Sequence, residues 1–153
     1  MRIKGMLTTV LLAAAVAVPA GAGQWKFEKE VPFELGKWVE VSAEDGPVKL
    51  HRIRVVEYQG RVGKAEFFRP FSSEYMKTVQ VQLEYSNSAT KDWKARIYIE
   101  WLDADGTVID GYNDEENLDD SENHDVATVT QATLKYGLDR AKKFKIRLDI
   151  HPD

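Results

Sequence analysis

The chain predicts an all-β protein, an antiparallel two-layer β-sandwich of seven or eight strands. Three observations predict it. Apolar residues recur at every second position in three separate segments, polar turn-forming clusters divide those segments, and no stretch after residue 22 sustains the 3.6-residue period of a helix. Strands with one dry and one wet face must bury the dry face against a second sheet, hence two layers. A closed small barrel is the alternative.

The elements are justified in chain order. Residues 1–22 form an export leader: Arg2 and Lys4 give a charged start, Met6 to Val18 an apolar run, and Pro19 precedes Ala20-Gly21-Ala22, the small-x-small pattern of a cleavage site. Met6 to Val18 is too short for the roughly twenty residues of a bilayer crossing. Cleavage after Ala22 leaves one domain, 23–153, expected in the periplasm or outside the cell, with no membrane insertion. With Cys 0, it must hold itself by packing alone.

In the N-terminal half, Trp38 to Val41 and Val48 to Tyr58 read as extended, separated by the turn signal Glu44-Asp45-Gly46-Pro47. Val48 and Leu50 share one parity, Ile53 and Val55 the other, which predicts a bulge near His51-Arg52. Gly60-Arg61-Val62-Gly63-Lys64 has too few residues between its glycines for a phosphate-binding loop and no helix after it, so it reads as a hairpin turn.

Val79, Val81, Leu83 and Tyr85 alternate with Gln80, Gln82 and Glu84; Trp93, Ala95, Ile97, Ile99 and Trp101 alternate with Lys94, Arg96, Tyr98 and Glu100; Phe144, Ile146, Leu148 and Ile150 alternate with Lys145, Arg147 and Asp149. These are three half-buried strands. The polar run Ser86 to Asp92 is a turn between the first two. Asp103-Ala104-Asp105-Gly106 closes a hairpin that returns along Thr107-Val108-Ile109. Residues 126 to 136 form another strand, and Gly137 to Lys142 a turn or a single helical turn.

The segment from Val79 to Ile150, with Tyr85-Ser86-Asn87-Ser88, the strand from Lys91 to Leu102 and the hairpin Asp103-Ala104-Asp105-Gly106, resembles bacterial extracytoplasmic Ig-like domains of the FxLYD type. That resemblance implies an Ig-like sandwich serving as a binding or accessory module. Where those domains have a short connection containing Pro and Gly, this chain has a long acidic stretch from Asp110 to Asp125.

Charge and composition exclude several functions. The chain carries 21 basic and 25 acidic residues; without Arg2 and Lys4 the balance is 19 to 25, a net charge of −6. That repels nucleic acid and anionic lipid as general partners. The three histidines, His51, His124 and His151, lie in no hydrolytic or zinc motif and are expected on the surface or at sheet edges. No catalytic residue and no cofactor are assigned.

Two features can carry binding. Asp110, Asp114, Glu115, Glu116, Asp119, Asp120, Glu122 and Asp125 read as an acidic loop, whose oxygens are of the type calcium takes. The spacing does not match an EF-hand, and a solvated loop at a sheet edge is the plainer expectation. Trp25, Trp38, Phe67, Phe68, Phe71 and Tyr75 lie in irregular segments and either cap the core or form an exposed aromatic platform. The chain is therefore expected to be an exported, non-enzymatic module that binds an envelope protein by pairing at a sheet edge, or a ligand such as a polysaccharide by aromatic docking. A calcium-stabilised structural domain is the other alternative.

Overall fold

The computed structural model describes residues 23–58 and 75–153. Within them the order is β1 (Trp25–Pro32), β2 (Val39–Asp45), β3 (Val48–Glu57), β4 (Met76–Asn87), β5 (Trp93–Leu102), β6 (Val108–Leu118), β7 (Glu122–Leu134), α1 (Lys135–Arg140) and β8 (Lys143–Pro152). The strands form two four-stranded sheets, β1-β8-β5-β6 and β2-β3-β4-β7, with antiparallel neighbours throughout. The predicted two-layer sandwich is the fold.

Period-two alternation builds the interior. Val79, Val81, Leu83 and Tyr85 of β4 point inward, as do Ile97, Ile99 and Trp101 of β5 and Ile146, Leu148 and Ile150 of β8, and all are essentially solvent-free. Each such side chain removed from water contributes roughly 1.5–3 kcal/mol. Trp93 and Trp101 are core residues, as their parity implies. The bulge expected near His51-Arg52 is there, as a shift of register between Leu50 and Arg52.

Three expectations are corrected. The acidic stretch is not a loop: Asp110 to Glu116 lie in β6, Glu122 and Asp125 in β7, and the connection is only Asp119 to Ser121. β6 is a sheet edge with a wet outer face, so its acidic side chains need no burial while its backbone pairs with β5 from Val108 to Leu118. The segment 135–140 is a six-residue helix that begins before Gly137. β1 is a strand that the reading of the N-terminal half omits. Of the two readings offered for Trp25, core cap or exposed platform, the first holds: it is 6% exposed and belongs to the core. The leader, the Gly60 to Lys64 turn and Phe67, Phe68 and Phe71 lie outside the described residues.

Candidate functional site

The acidic side chains do not converge. Eight residues of extended chain separate Asp110 from Leu118, about 26 Å at the rise of a strand. Their bonds are mostly structural. Asp110 Oδ2 accepts from Thr133 Oγ1 at 2.8 Å and from the Leu134 amide at 3.1 Å, and Thr133 Oγ1 in turn accepts from the buried Trp101 Nε1 at 3.1 Å. This chain ties β5, β6 and β7 together where the two sheets meet. Asp114 accepts from the Tyr112 hydroxyl at 2.6 Å, and Glu115 pairs with Arg96 at 2.9 Å. Burial and then Asp114 push the Glu116 carboxyl up.

At the other end of β6 the buried Tyr85 hydroxyl donates to Asp125 Oδ2 at 3.1 Å and accepts from the Asp119 amide at 2.9 Å. Burial holds that phenol well above its ordinary pKa. The Asp120 amide donates to Asp92 Oδ1 at 3.0 Å, and Glu122 sits opposite Asn87. Among the described residues no group of three or more His, Asp or Glu side chains is placed to hold a metal ion.

The aromatic residues singled out from the sequence do not assemble a platform within the described residues. The guanidinium groups of Arg52 and Arg54 lie over the Trp38 ring, 4.6 and 4.3 Å from its centroid, and Tyr75, just before β4, is 65% exposed. A different aromatic site occupies the outer face of the β1-β8-β5-β6 sheet. There Tyr98, Glu100, Gly111, Tyr112, Asn113, Lys145 and Arg147 line a depression of about 220 Å³.

Sheet register builds this depression. Tyr98 stands between Arg147 on β8 and Asn113 on β6, and Glu100 between Lys145 and Gly111, so six positions of one face form two adjacent rows. Gly111 is the gap in the second row. A Cβ there would meet the Ile99 carbonyl oxygen at 3.1 Å and Glu100 Cγ at 3.6 Å, so the missing side chain leaves the hollow beside Glu100. Arg147 stacks on Tyr98 at 4.0 Å and forms no ion pair among the described residues. Lys145 donates to Glu28 at 2.8 Å, which raises its pKa. The result is an aromatic ring with a guanidinium over one face, set beside ammonium, carboxylate and amide groups.

The outer face of the other sheet holds a second cluster. β3 bulges at His51, and β7 bulges where Asn123 and His124 together oppose Ser86. Both bulges flank β4 at one level and turn two histidines over it, their rings stacked at 4.0 Å and 15°. His124 has a φ of 58°, unusual for a residue other than glycine. Its Nδ1 lies 2.6 Å from Glu84 Oε1, while Arg52 donates to the other carboxylate oxygen. Those two bonds, His124 first, hold the nearly buried Glu84 below the usual carboxylate range. His51 Nε2 lies 2.8 Å from Ser86 Oγ, which also receives the His124 amide at 3.0 Å and donates to Asn123 Oδ1 at 3.1 Å. Burial and then the neighbouring His124 lower the pKa of His51.

Fold and sites define a two-layer antiparallel β-sandwich with one lined depression on one outer face and a polar cluster on the other. No known family model and no curated protein sequence matches the chain. Among the described residues no helix is long and apolar enough to cross a membrane.

Proposed function

We propose that the chain is an exported, non-enzymatic binding module that takes a carbohydrate-type ligand in the depression around Tyr98. The observation that carries this reading is the convergence of the Tyr98 ring with Glu100, Asn113, Lys145 and Arg147 around the gap at Gly111. Sugar rings offer an apolar face for an aromatic side chain and hydroxyls for charged and amide groups, the combination of surfaces present there. The hollow is smaller than the roughly 300–1,000 Å³ of a drug-sized site, which suits one ring of a longer polysaccharide.

The opposite cluster supports the non-enzymatic part. A hydrolytic serine needs a base that is itself oriented by a third group. Here the histidine beside Ser86 is His51, whereas the carboxylate binds the other ring, His124. Three of the four sheet edges favour recognition through a face over strand pairing. β1 exposes Lys26, Glu28 and Glu30 and ends in Pro32, β2 is bulged around Ser42 at a φ of 52°, and β6 is acidic. Charge, proline and bulges are the usual devices that blunt an edge.

Titration calorimetry of the purified protein with a panel of soluble neutral and acidic polysaccharides tests the proposal. Binding of at least one is expected, with affinity for an isolated sugar near about 1 mM, and Tyr98→Ala should abolish it. A panel without any binder, or a Tyr98→Ala protein that binds as wild type does, overturns the reading.

A further inference from the structure

We propose that His51 and His124 form an acid-released clasp, in which protonation of the stacked pair separates the rings and frees the Asn123-His124 bulge of β7 from β3 and β4. The hydrogen bonds define the closed form. Ser86 has one proton, given to Asn123, so its oxygen accepts from the His124 amide and from His51 Nε2–H. His124 directs Nδ1–H at Glu84. Both rings complete this pattern while uncharged.

A second positive charge has no place to go. The charged groups that act on the pair are Lys49 and Arg52 from β3 and Glu84 from β4, and the nearest acids on β2 and β7 are engaged elsewhere. Glu44 is 3.4 Å from Lys49, Asp125 accepts from Tyr85, and Glu40 stands opposite Arg52. Glu84 already serves Arg52 and one ring, so a proton on each imidazole sets two cations face to face at 4.0 Å beside a guanidinium. Release relieves the left-handed backbone at His124.

The sign follows from the direction of the shifts. The folded state lowers the pKa of His51, so the clasp is fully closed above the ordinary value of 6.5 and weakens as pH falls below it. Glu84 is also lowered, from 4.5, so its carboxylate stays ionised throughout that window. The transition therefore belongs to His51 and not to Glu84.

Nuclear magnetic resonance of the purified protein between about pH 4 and 8 tests the clasp. The His51 ring is expected to titrate below 6.5. The amides of Asn123 to Asp125 should shift with the same midpoint, and their exchange, corrected for its intrinsic pH dependence, should quicken about tenfold per pH unit across the window. His51→Gln keeps a donor for Ser86 but takes no proton, so the step at residues 123–125 should vanish. A His51 that titrates at or above 6.5, or wild-type amides at 123–125 that do not follow it, overturns the proposal. The wild-type measurement decides the matter even where the variant folds poorly.

Discussion

The two outer faces of the sandwich carry similar residue types in opposite states. On the β1-β8-β5-β6 face the register is regular around the depression, so Tyr98, Glu100, Lys145 and Arg147 stand at their pleat positions, half-buried or exposed, with Lys145 paired to Glu28 and Arg147 over the Tyr98 ring. On the β2-β3-β4-β7 face two bulges displace His51 and His124 from those positions and press them onto Glu84 and Ser86. A regular sheet presents side chains side by side, available to a ligand. A sheet bulged on both sides of one strand bonds its polar groups to each other, and coupling among them replaces availability to a partner.

The largest expected effect sets one carboxylate against the other. Glu84→Gln leaves Arg52 and the Nδ1–H of His124 with a neutral acceptor in a nearly solvent-free place, and should cost about 1–3 kcal/mol. Glu100→Gln, on the regular face, should stay within about 0.5 kcal/mol. Urea unfolding of both variants at pH 7 measures the difference, and equal losses would dissolve the contrast between the faces. The pH profile sharpens it. Stability that depends on the lowered pKa of Glu84 is present above 4.5 and lost as pH falls through its folded value, so wild type should decline more steeply in that acid range than Glu84→Gln.

A smaller effect on stability, with a complete effect on binding, is expected at the gap. β6 has ordinary strand geometry at Gly111, so Gly111→Leu is permitted by the backbone; its Cβ must settle against the Ile99 carbonyl at 3.1 Å. The strain is offset by the lower chain entropy of a non-glycine strand residue, and the net change should be under about 1 kcal/mol. Because the side chain fills the hollow beside Glu100, saccharide binding should be lost while the melting curve barely moves. Retained binding would show that the hollow is not where the ligand sits.

Much of the fold was legible because a pleated strand writes its two faces directly into the sequence. β4, β5 and β8 were readable from parity alone, and the His51 bulge from a change of parity. The same rule applied to Trp25, Phe27 and Val31 would have found β1, whose partners Lys26, Glu28 and Glu30 face water. β6 was readable only at its start, where Val108 and Ile109 return from the Asp103 to Gly106 turn; beyond them Asp, Glu and Asn are poor strand formers, and only a place at an edge, with β5 to pair with, makes the acidic part of the strand stable. The sites were less legible still. Tyr98 could be placed on a wet face, but its partners Arg147 and Asn113 follow from inter-strand register, which no single segment contains. The bulge at Asn123-His124 has no parity signal, because its apolar neighbours begin only at Val126.

The smallest expected effect concerns the acidic residues, and its value lies in being close to zero. A calcium ion needs six to eight oxygens around one point. Here Asp110 faces Thr133 and the Leu134 amide, Glu115 faces Arg96, and Asp125 faces the Tyr85 hydroxyl, each committed to a different part of the β6–β7 side. Drawing them together would break the bonds that fasten β6 and β7. Millimolar calcium or a chelator should therefore shift Tm by less than about 1 °C, because a ligand stabilises only in proportion to its binding to the folded form. A rise of several degrees would mean that the edge can rearrange around an ion, and would move the regular face, with β6 as its rim, into the class of coupled surfaces now represented by the histidine pair alone.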